Sequence, residues 1–210
     1  GDGSVTGTIT GLGSLIADSP GSGTVGGIDR GTWGFWRNIA YDATTDGGAA
    51  ATAANIQRYM NSVWVQVVRG NDQPDLIVAD NNYFKLYWES LQAIQRITNS
   101  SNDLGQAGFM NLKYMNADVV LDGGYQGAST DPLPLGTGGS GASSALGGAA
   151  TNHMYFINTK YLFWRPHSDR NMVPLNPDRF SVNQDAMVKL VGWAGNMTLS
   201  NGFLQAVLKD

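Results

Sequence analysis

The sequence predicts a mixed fold of helices and strands, of the α/β or α+β class. Three observations support this prediction. Residues 50–69 carry apolar side chains at helical spacing, residues 74–79 form a short apolar run typical of a buried strand, and a second helical pattern follows Asp80. The order of helix, strand and helix indicates helices packed on a sheet.

The elements follow one another in a clear order along the chain. The first 48 residues are rich in Gly, Thr, Ser and Asp, which favour turns. The first helix has candidate N-caps at 44–46 and a candidate stop at Gly70. Its apolar stripe is Ile56, Met60, Val63, Trp64, Val67 and Val68.

The second helix is expected to start at Asp80 as N-cap. Its stripe is Tyr83, Tyr87, Leu91 and Ile94, with Phe84 and Trp88 beside it. Further strands are expected at residues 109–114, 119–121, 154–157 and 161–164. Residues 123–151 are low in complexity and predict a long flexible loop.

The last part of the chain predicts a β-hairpin after a stretch without regular structure. Pro166, Pro174 and Pro177 indicate irregular chain before it. Apolar residues then alternate from Met187 to Trp193, and Gly195-Asn196 is a candidate turn into a return strand.

Composition limits the possible classes of function. The chain has 210 residues, long enough to bury a core without a disulfide or metal staple. It has no cysteine, which excludes a disulfide framework, a cysteine nucleophile and cysteine-ligated metal centres. The net charge of −4 does not favour nucleic-acid binding, and no apolar run is long enough to span a membrane. We therefore expect neither sequence-specific nucleic acid nor a membrane as a partner.

The surface of the protein is expected to contact other protein subunits. Charged residues make up 14% of the chain, against a typical value of about 25%. The chain has 28 Gly, six Trp and eight Tyr, and its acids are sixteen Asp and the single Glu89. A weakly charged, aromatic surface with many turns and little exposed helix is typical of a protein that contacts protein.

No group of residues predicts catalysis, a cofactor or a metal. Residues 21–26 and 136–141 match the spacing of a dinucleotide fingerprint, but neither lies between a strand and a helix. His153 and His167 lack partners at ligand spacing, and no pair of acids predicts glycoside hydrolysis. We expect no catalytic, cofactor-binding or metal residue, and we predict that the protein is not an enzyme.

The densest candidate site is the aromatic cluster of Trp33, Phe35 and Trp36 beside two arginines, from which the four candidate residues are Arg30, Trp33, Trp36 and Arg37. Three interpretations stay open from the residues alone: a core, a subunit contact, or a stacking platform for sugars or bases. Trp and Arg dominate interface hot spots, so these four residues are the candidate subunit interface.

The ordered series of segments resembles tailed-phage major capsid proteins of the Hong Kong 97-type fold. The similar stretches are residues 1–16, 23–30 with 35–38 (GTVGGIDR and FWRN), 69–78, 108–122, 154–162, and 183–186 with 193–198. They cover nearly the whole chain apart from residues 123–151, and their order rather than any one motif carries the resemblance.

The resemblance implies an α+β fold with the A domain and part of the P-domain sheet. Residues 1–43 match a P-domain or linker segment, 44–179 the A domain with its flexible loop at 123–151, and 180–210 a P-domain β-hairpin. The N-arm, extended loop and spine helix of the family would precede Gly1, so the chain resembles a C-terminal fragment.

The implied function is that of a capsid subunit that assembles with its own copies. Such proteins form hexamers and pentamers of an icosahedral shell, with scaffold or cement proteins as further candidate partners. The implied location is the virion, and the host cytoplasm during assembly. The alternatives are a carbohydrate-binding adhesin or fibre domain and an encapsulin-like compartment shell.

Overall fold

The computed structural model describes residues 10–93, 112–122, 152–180 and 187–210. The predicted loop at 123–151, Ile94 and residues 109–111 lie outside the described residues. The described helices are α1 (Leu12–Leu15), α2 (Ile56–Val67) and α3 (Asn81–Ala93). The strands are β1 (Thr24–Val25), β2 (Ile28–Asp29), β3 (Ile39–Asp42), β4 (Leu76–Ala79), β5 (Leu112–Tyr114), β6 (Ala117–Leu121), β7 (His153–Ile157), β8 (Leu162–Pro166), β9 (Val173–Phe180), β10 (Met187–Gly192), β11 (Gly195–Leu199) and β12 (Ala206–Lys209).

A six-stranded mixed sheet forms the centre of the fold, with the strand order β3-β12-β7-β4-β6-β5. β12 runs parallel to β3 and antiparallel to β7, while β4 is parallel to β6 and antiparallel to β7. The last strand of the chain therefore lies inside the sheet, between strands from the first and the last third of the sequence.

The two faces of the sheet carry separate apolar clusters. Successive side chains of β7 point to opposite faces, so Met154 and Phe156 pack with α2 and α3, while Tyr155 and Ile157 pack on the other side. The second cluster, on the face opposite α2 and α3, contains Leu15, Ile16, Val25, Tyr155, Ile157 and Val207. Every residue of β7 is buried because both of its faces are covered.

The helical stripes are confirmed for the residues that lie within α2 and α3, whereas Val68 follows the end of α2 in extended conformation. Ile56, Met60, Val63, Trp64 and Val67 of α2 and Tyr83, Phe84 and Tyr87 of α3 are buried. Asp80 caps α3 as expected, because its Oδ1 accepts from the Tyr83 N–H at 2.9 Å. Burial of the Tyr87 hydroxyl raises its pKa to about 12.

The predicted caps of the first helix are wrong. α2 begins at Ile56, after Asn55, whose Oδ1 accepts from the Thr52 N–H at 2.6 Å. Residues 44–46 instead form a turn after β3, in which Asp42 accepts from the Thr45 N–H at 2.8 Å. Asp side chains bond their own backbone a few residues on, and this turn chemistry is why the segment is not helical. α2 ends at Val67, and Gly70, with φ +60°, lies in the turn that follows.

The predicted C-terminal hairpin is also wrong. β11 pairs antiparallel with β8, and β10 pairs with β9, so two antiparallel ladders join residues 162–180 to residues 187–199. We call this pair of ladders the ribbon. Gly195 lies opposite Pro166 inside the β11 ladder, so Gly195-Asn196 is not a hairpin turn.

The prolines expected to mark irregular chain lie in or at the end of ribbon strands. Pro166 is the last residue of β8, and Pro174 and Pro177 lie within β9. Each ribbon strand pairs on one side in a two-stranded sheet, so a proline can lie with its nitrogen away from the ladder. The assignment of residues 1–43, 44–179 and 180–210 to separate domains stays a prediction.

Candidate functional site

Arg30 lies inside the protein and holds the N-terminal segment. It is 5% exposed. Its Nη1 donates to the Leu15 carbonyl and to Asn38 Oδ1, both at 3.3 Å, and its Nη2 donates to the Ser14 carbonyl at 3.3 Å. Burial lowers the pKa of the guanidinium. Arg30 therefore links the backbone of α1 to Asn38 in the loop before β3.

Asn38 binds the next part of the same segment, and we call the two side chains the Arg30–Asn38 clamp. Its Nδ2 donates to the Ala17 carbonyl at 2.8 Å, and its Oδ1 accepts from the Ala17 N–H at 3.0 Å. A buried amide that meets a backbone N–H and carbonyl in this way acts like an added strand partner. The segment after α1 is thereby fixed beside the start of β3.

Trp36 and Arg37 are partly buried supports of the same loop. The Trp36 Nε1 donates to the Val25 carbonyl at 3.1 Å, and its ring packs against the second cluster. Arg37 donates from Nε to the Arg30 carbonyl and from Nη2 to the Gly31 carbonyl, both at 2.7 Å. Both side chains stabilise the loop, and part of each side chain remains exposed to solvent at the edge of the loop.

Trp33 is the exposed member of the candidate set. It is 53% exposed and contacts Phe35, which is 64% exposed, at 5.8 Å between ring centroids. Asp29 lies in the same loop and accepts from the Gly31 N–H and the Thr32 hydroxyl, both at 2.8 Å. These hydrogen bonds, with the Thr32 hydroxyl first, lower the pKa of Asp29. We call Asp29, Trp33 and Phe35 the loop patch.

The structure joins one pair of the candidate set and does not bring the four residues onto one surface. Arg30 and Arg37 are joined through the Arg30 backbone carbonyl, whereas Trp36 faces the second cluster and Trp33 faces outward. Phe35, which belongs to the exposed surface, is not among the four candidates. The position of Phe35, two residues after Trp33, places it in the same cluster from the sequence alone. The sequence does not indicate which of the three aromatic side chains is buried.

A second aromatic surface lies on the ribbon and was missed by the sequence reasoning. Trp164 stacks on Trp193 with centroids 4.9 Å apart and planes 22° apart, and Trp164 is 52% exposed. On the opposite ribbon face, the Arg165 guanidinium lies 5.3 Å from the centre of the Phe163 ring. We call Trp164 and Trp193 the ribbon patch, because Phe163 and Arg165 lie on the other face. It could not be found without knowing that β8 pairs with β11.

The described residues offer little for catalysis or metal binding. Among them, no group of three or more His, Cys, Asp or Glu side chains is arranged to hold a metal ion. His153 Nε2 lies 2.9 Å from Asp18 Oδ2, and this contact is the main cause of the lowered pKa of Asp18. Glycines 23 and 26 of the first dinucleotide-like string have positive φ in the β1–β2 region, as turn residues do, while the second string lies outside the described residues.

The described helices include none that is long and apolar enough to cross a membrane. No protein-family model matches the sequence, and no curated protein is similar to it.

One solved structure of similar fold is a cyanophage A-1(L) capsid asymmetric unit. The TM-score is 0.56 at 17% sequence identity, and the match covers 96% of this chain. The chain spans 59% of the length of that capsid chain. The protein therefore has a phage capsid-like fold, mixed in helix and strand and built on one large mixed sheet.

Proposed function

We propose that the protein is a structural subunit of a viral capsid, in the form of a Hong Kong 97-type major capsid protein. The observation that carries the proposal is the fold match to the cyanophage capsid chain over 96% of the sequence. The ordered series of sequence segments that resembles Hong Kong 97-type capsid proteins supports the finer part of the proposal.

The proposed mechanism is assembly through protein surface. Its partners are other copies of the chain, arranged as hexamers and pentamers of an icosahedral shell, with scaffold or cement proteins as further partners. The loop patch supports this mechanism, because exposed aromatic side chains held on a rigid loop are typical anchors of protein interfaces. In this proposal Trp33 contacts the neighbour, the edges of Trp36 and Arg37 border the contact, and Arg30 holds the loop in place from beneath.

The location follows from the role: the virion, with the host cytoplasm during assembly. The chemistry proposed is non-enzymatic, because the work of a capsid subunit is done by its contacts rather than by a reactive group.

The test is negative-stain electron microscopy of the complete translation product that contains this chain, after expression and purification. We expect closed icosahedral particles. A product that stays monomeric at all concentrations and salt conditions contradicts the proposal. Binding on a glycan array without particles would favour the carbohydrate-binding alternative.

A further inference from the structure

We propose that His153 is a pH-sensitive latch, which in its protonated form holds residues 14–18, and with them the loop patch, on one end of the central sheet. The consequence for assembly rests on the proposed capsid function, because it concerns the regulation of the loop patch. The contacts that build the latch belong to the fold and can be tested without assembly.

The first step is that one end of the central sheet is acidic. β12 and β4 are both antiparallel to β7, and β3 and β6 run parallel to them, so four strands end at the same edge. An aspartate is the last residue of β3 and directly follows each of the other three strands. We call these four side chains, together with the neighbouring Asp18, the acidic edge: Asp18, Asp42, Asp80, Asp122 and Asp210.

The second step is the position of His153 within the acidic edge. β7 runs against its two neighbours, so its first residue lies where they end, and His153 is only 9% exposed there. Its Nε2 lies 2.9 Å from Asp18 Oδ2, and its carbonyl accepts from the Asp80 N–H at 3.0 Å. A titratable ring is therefore enclosed among carboxylates at the end of the sheet.

The third step is the effect of the surrounding acids on the ring. Asp18 and Asp80 both attract a protonated His153. Asp122 acts from the end of β6 on Tyr155, whose ring centroid lies 6.0 Å from that of His153. An ionised carboxylate near an imidazole favours the protonated form, so these acids favour the charged ring.

Two effects oppose the charge on the ring. Lys209 lies directly opposite His153 on β12, and burial of the ring also disfavours its charged form. The charge of Lys209 is shared with Asp42, because the two form an ion pair at 3.4 Å. The contact with Asp18 is at hydrogen-bond distance and becomes charge-assisted when the ring is protonated, so it decides the balance.

The fourth step links the latch to the loop patch. The Arg30–Asn38 clamp binds residues 14–17, and His153 binds the next residue, Asp18. Arg30 belongs to the loop that carries the loop patch. Among the three side chains that hold this segment, only the histidine changes its charge between pH 5 and 8. Release of Asp18 therefore loosens the segment on which the loop rests.

The direction of the pH effect follows from linkage. A histidine whose charged form is favoured in the folded state adds stability below its unfolded pKa of about 6.5, and this contribution is lost as the pH rises through the titration of the folded ring. Below the usual carboxyl pKa of 3.8, Asp18 itself begins to take up a proton, which ends the contribution from the acid side. The latch should therefore be closed at about pH 6 and open at about pH 8.5.

The test compares the wild-type chain with His153→Gln, which keeps a polar side chain near Asp18 but carries no charge at any pH. Hydrogen exchange of the full chain, followed by mass spectrometry, measures the protection of the backbone of residues 14–18. At about pH 6 the wild type should be about fivefold better protected than the variant. At about pH 8.5 both side chains are neutral, and the two chains should exchange alike.

His167→Gln is the matched control, because His167 is the other of the two histidines in the sequence and lies between β8 and β9, away from the acidic edge. Its residues 14–18 should exchange like those of the wild type at both pH values. Loss of protection in this control as well would overturn the assignment of the latch to His153.

The ring signals of the two histidines in NMR spectra give a second readout. Asp18→Asn should move the titration midpoint of His153 to lower pH by about half a unit or more, because a neutral amide no longer favours the charged ring. The midpoint of His167 should not move. A His153 midpoint that is the same in the variant and the wild type contradicts the pairing on which the latch depends.

The exchange data decide the latch independently of assembly. Equal protection of the wild type and His153→Gln at both pH values would overturn it. A difference of the same size at both pH values would overturn it too, because the contact would then be a hydrogen bond that does not titrate.

Particle yield at the same two pH values tests the step to assembly. The wild type should assemble better than His153→Gln at about pH 6, and the two should assemble alike at about pH 8.5. Equal yields at about pH 6 contradict the regulation of the loop patch. A wild-type product that forms no particles at either pH contradicts the capsid role, while the exchange data still decide the latch.

Discussion

The guanidinium of Arg30 donates to the side-chain oxygen of Asn38 at 3.3 Å in the interior of the protein, and both residues are at most 5% exposed. Together they fix residues 14–17 against the loop that leads into β3. The loop that presents Trp33 and Phe35 to solvent is therefore anchored from beneath by a buried polar network. Among the described residues the Arg30 Nε has no hydrogen-bond partner, so the two terminal nitrogens of the guanidinium and the Asn38 amide hold the network together.

Replacing Arg30 by Ala should destabilise the fold strongly. The substitution removes the donors of the Leu15 and Ser14 carbonyls and leaves buried acceptors unsatisfied, which costs about 3 kcal/mol in total. Thermal unfolding followed by circular dichroism measures the effect. Lys85→Ala on the exposed face of α3 is the control, with a change below about 0.5 kcal/mol. An Arg30→Ala variant as stable as this control would show that the clamp is unimportant.

Replacing Trp33 by Ala should separate folding from assembly. The side chain is more than half exposed, so the free energy of unfolding should change by less than about 0.5 kcal/mol. If Trp33 is an interface anchor, assembly should weaken by about 2 kcal/mol or more. Unfolding curves and the particle yield in sedimentation report the two effects separately. A variant that assembles like the wild type would remove Trp33 from the interface.

Trp36→Ala is the matched comparison within the same loop. Its ring packs against the second cluster, and its Nε1 donates a hydrogen bond to the Val25 carbonyl. Truncation to Ala should therefore lower the free energy of unfolding by about 3 kcal/mol. A loss of folding stability distinguishes this residue from Trp33. Unchanged unfolding of the Trp36 variant would mean that its contacts on the cluster contribute little.

Gly202→Ala should be poorly tolerated. A Cβ at this position would lie 2.4 Å from the Trp36 carbonyl oxygen, which belongs to the backbone and cannot rotate away. Moving the two segments apart should cost about 1–3 kcal/mol. Gly34→Ala is the control, because its added Cβ would meet no atom within 4 Å. Equal melting temperatures for the two variants would contradict the close approach of residues 36 and 202.

Stability should fall in acid partly through Asp18. The contact with His153 Nε2 lowers the pKa of the Asp18 carboxyl in the folded state below its usual value of 3.8. A carboxyl with a lowered pKa adds stability above its unfolded pKa, and this contribution disappears as the pH falls through the folded pKa. Among the described residues, the charged groups that act on the pair include Lys209, which lowers the Asp18 pKa further, and Asp80, which interacts with His153.

Urea unfolding of the wild type and of Asp18→Asn at several pH values below 5 measures this contribution. The wild type should lose its advantage over the variant as the pH drops below about 4. Parallel pH profiles would show that the Asp18–His153 contact does not stabilise the fold.

The sequence by itself determined the elements whose signals are local. The buried stripes of α2 and α3 follow from helical spacing, the start of α3 follows from Asp80, and β4 and β7 follow from short apolar runs. The mixed class of the fold follows from the order of these elements. Each of these features depends on residues close together in the chain, so the pattern carries enough information to predict it.

Only the tertiary structure decided which strands pair and which aromatic side chains stay exposed. β11 could pair with β10 next to it in sequence, but its partner is β8, more than thirty residues earlier, and β12 passes on into the central sheet. The sequence does not distinguish the three aromatic residues Trp33, Phe35 and Trp36. In the structure Trp36 packs against the second cluster, while the other two side chains face solvent. The physical reason is that strand pairing and burial depend on surfaces assembled from distant segments, such as the Arg30–Asn38 clamp, and no short window of sequence contains both partners.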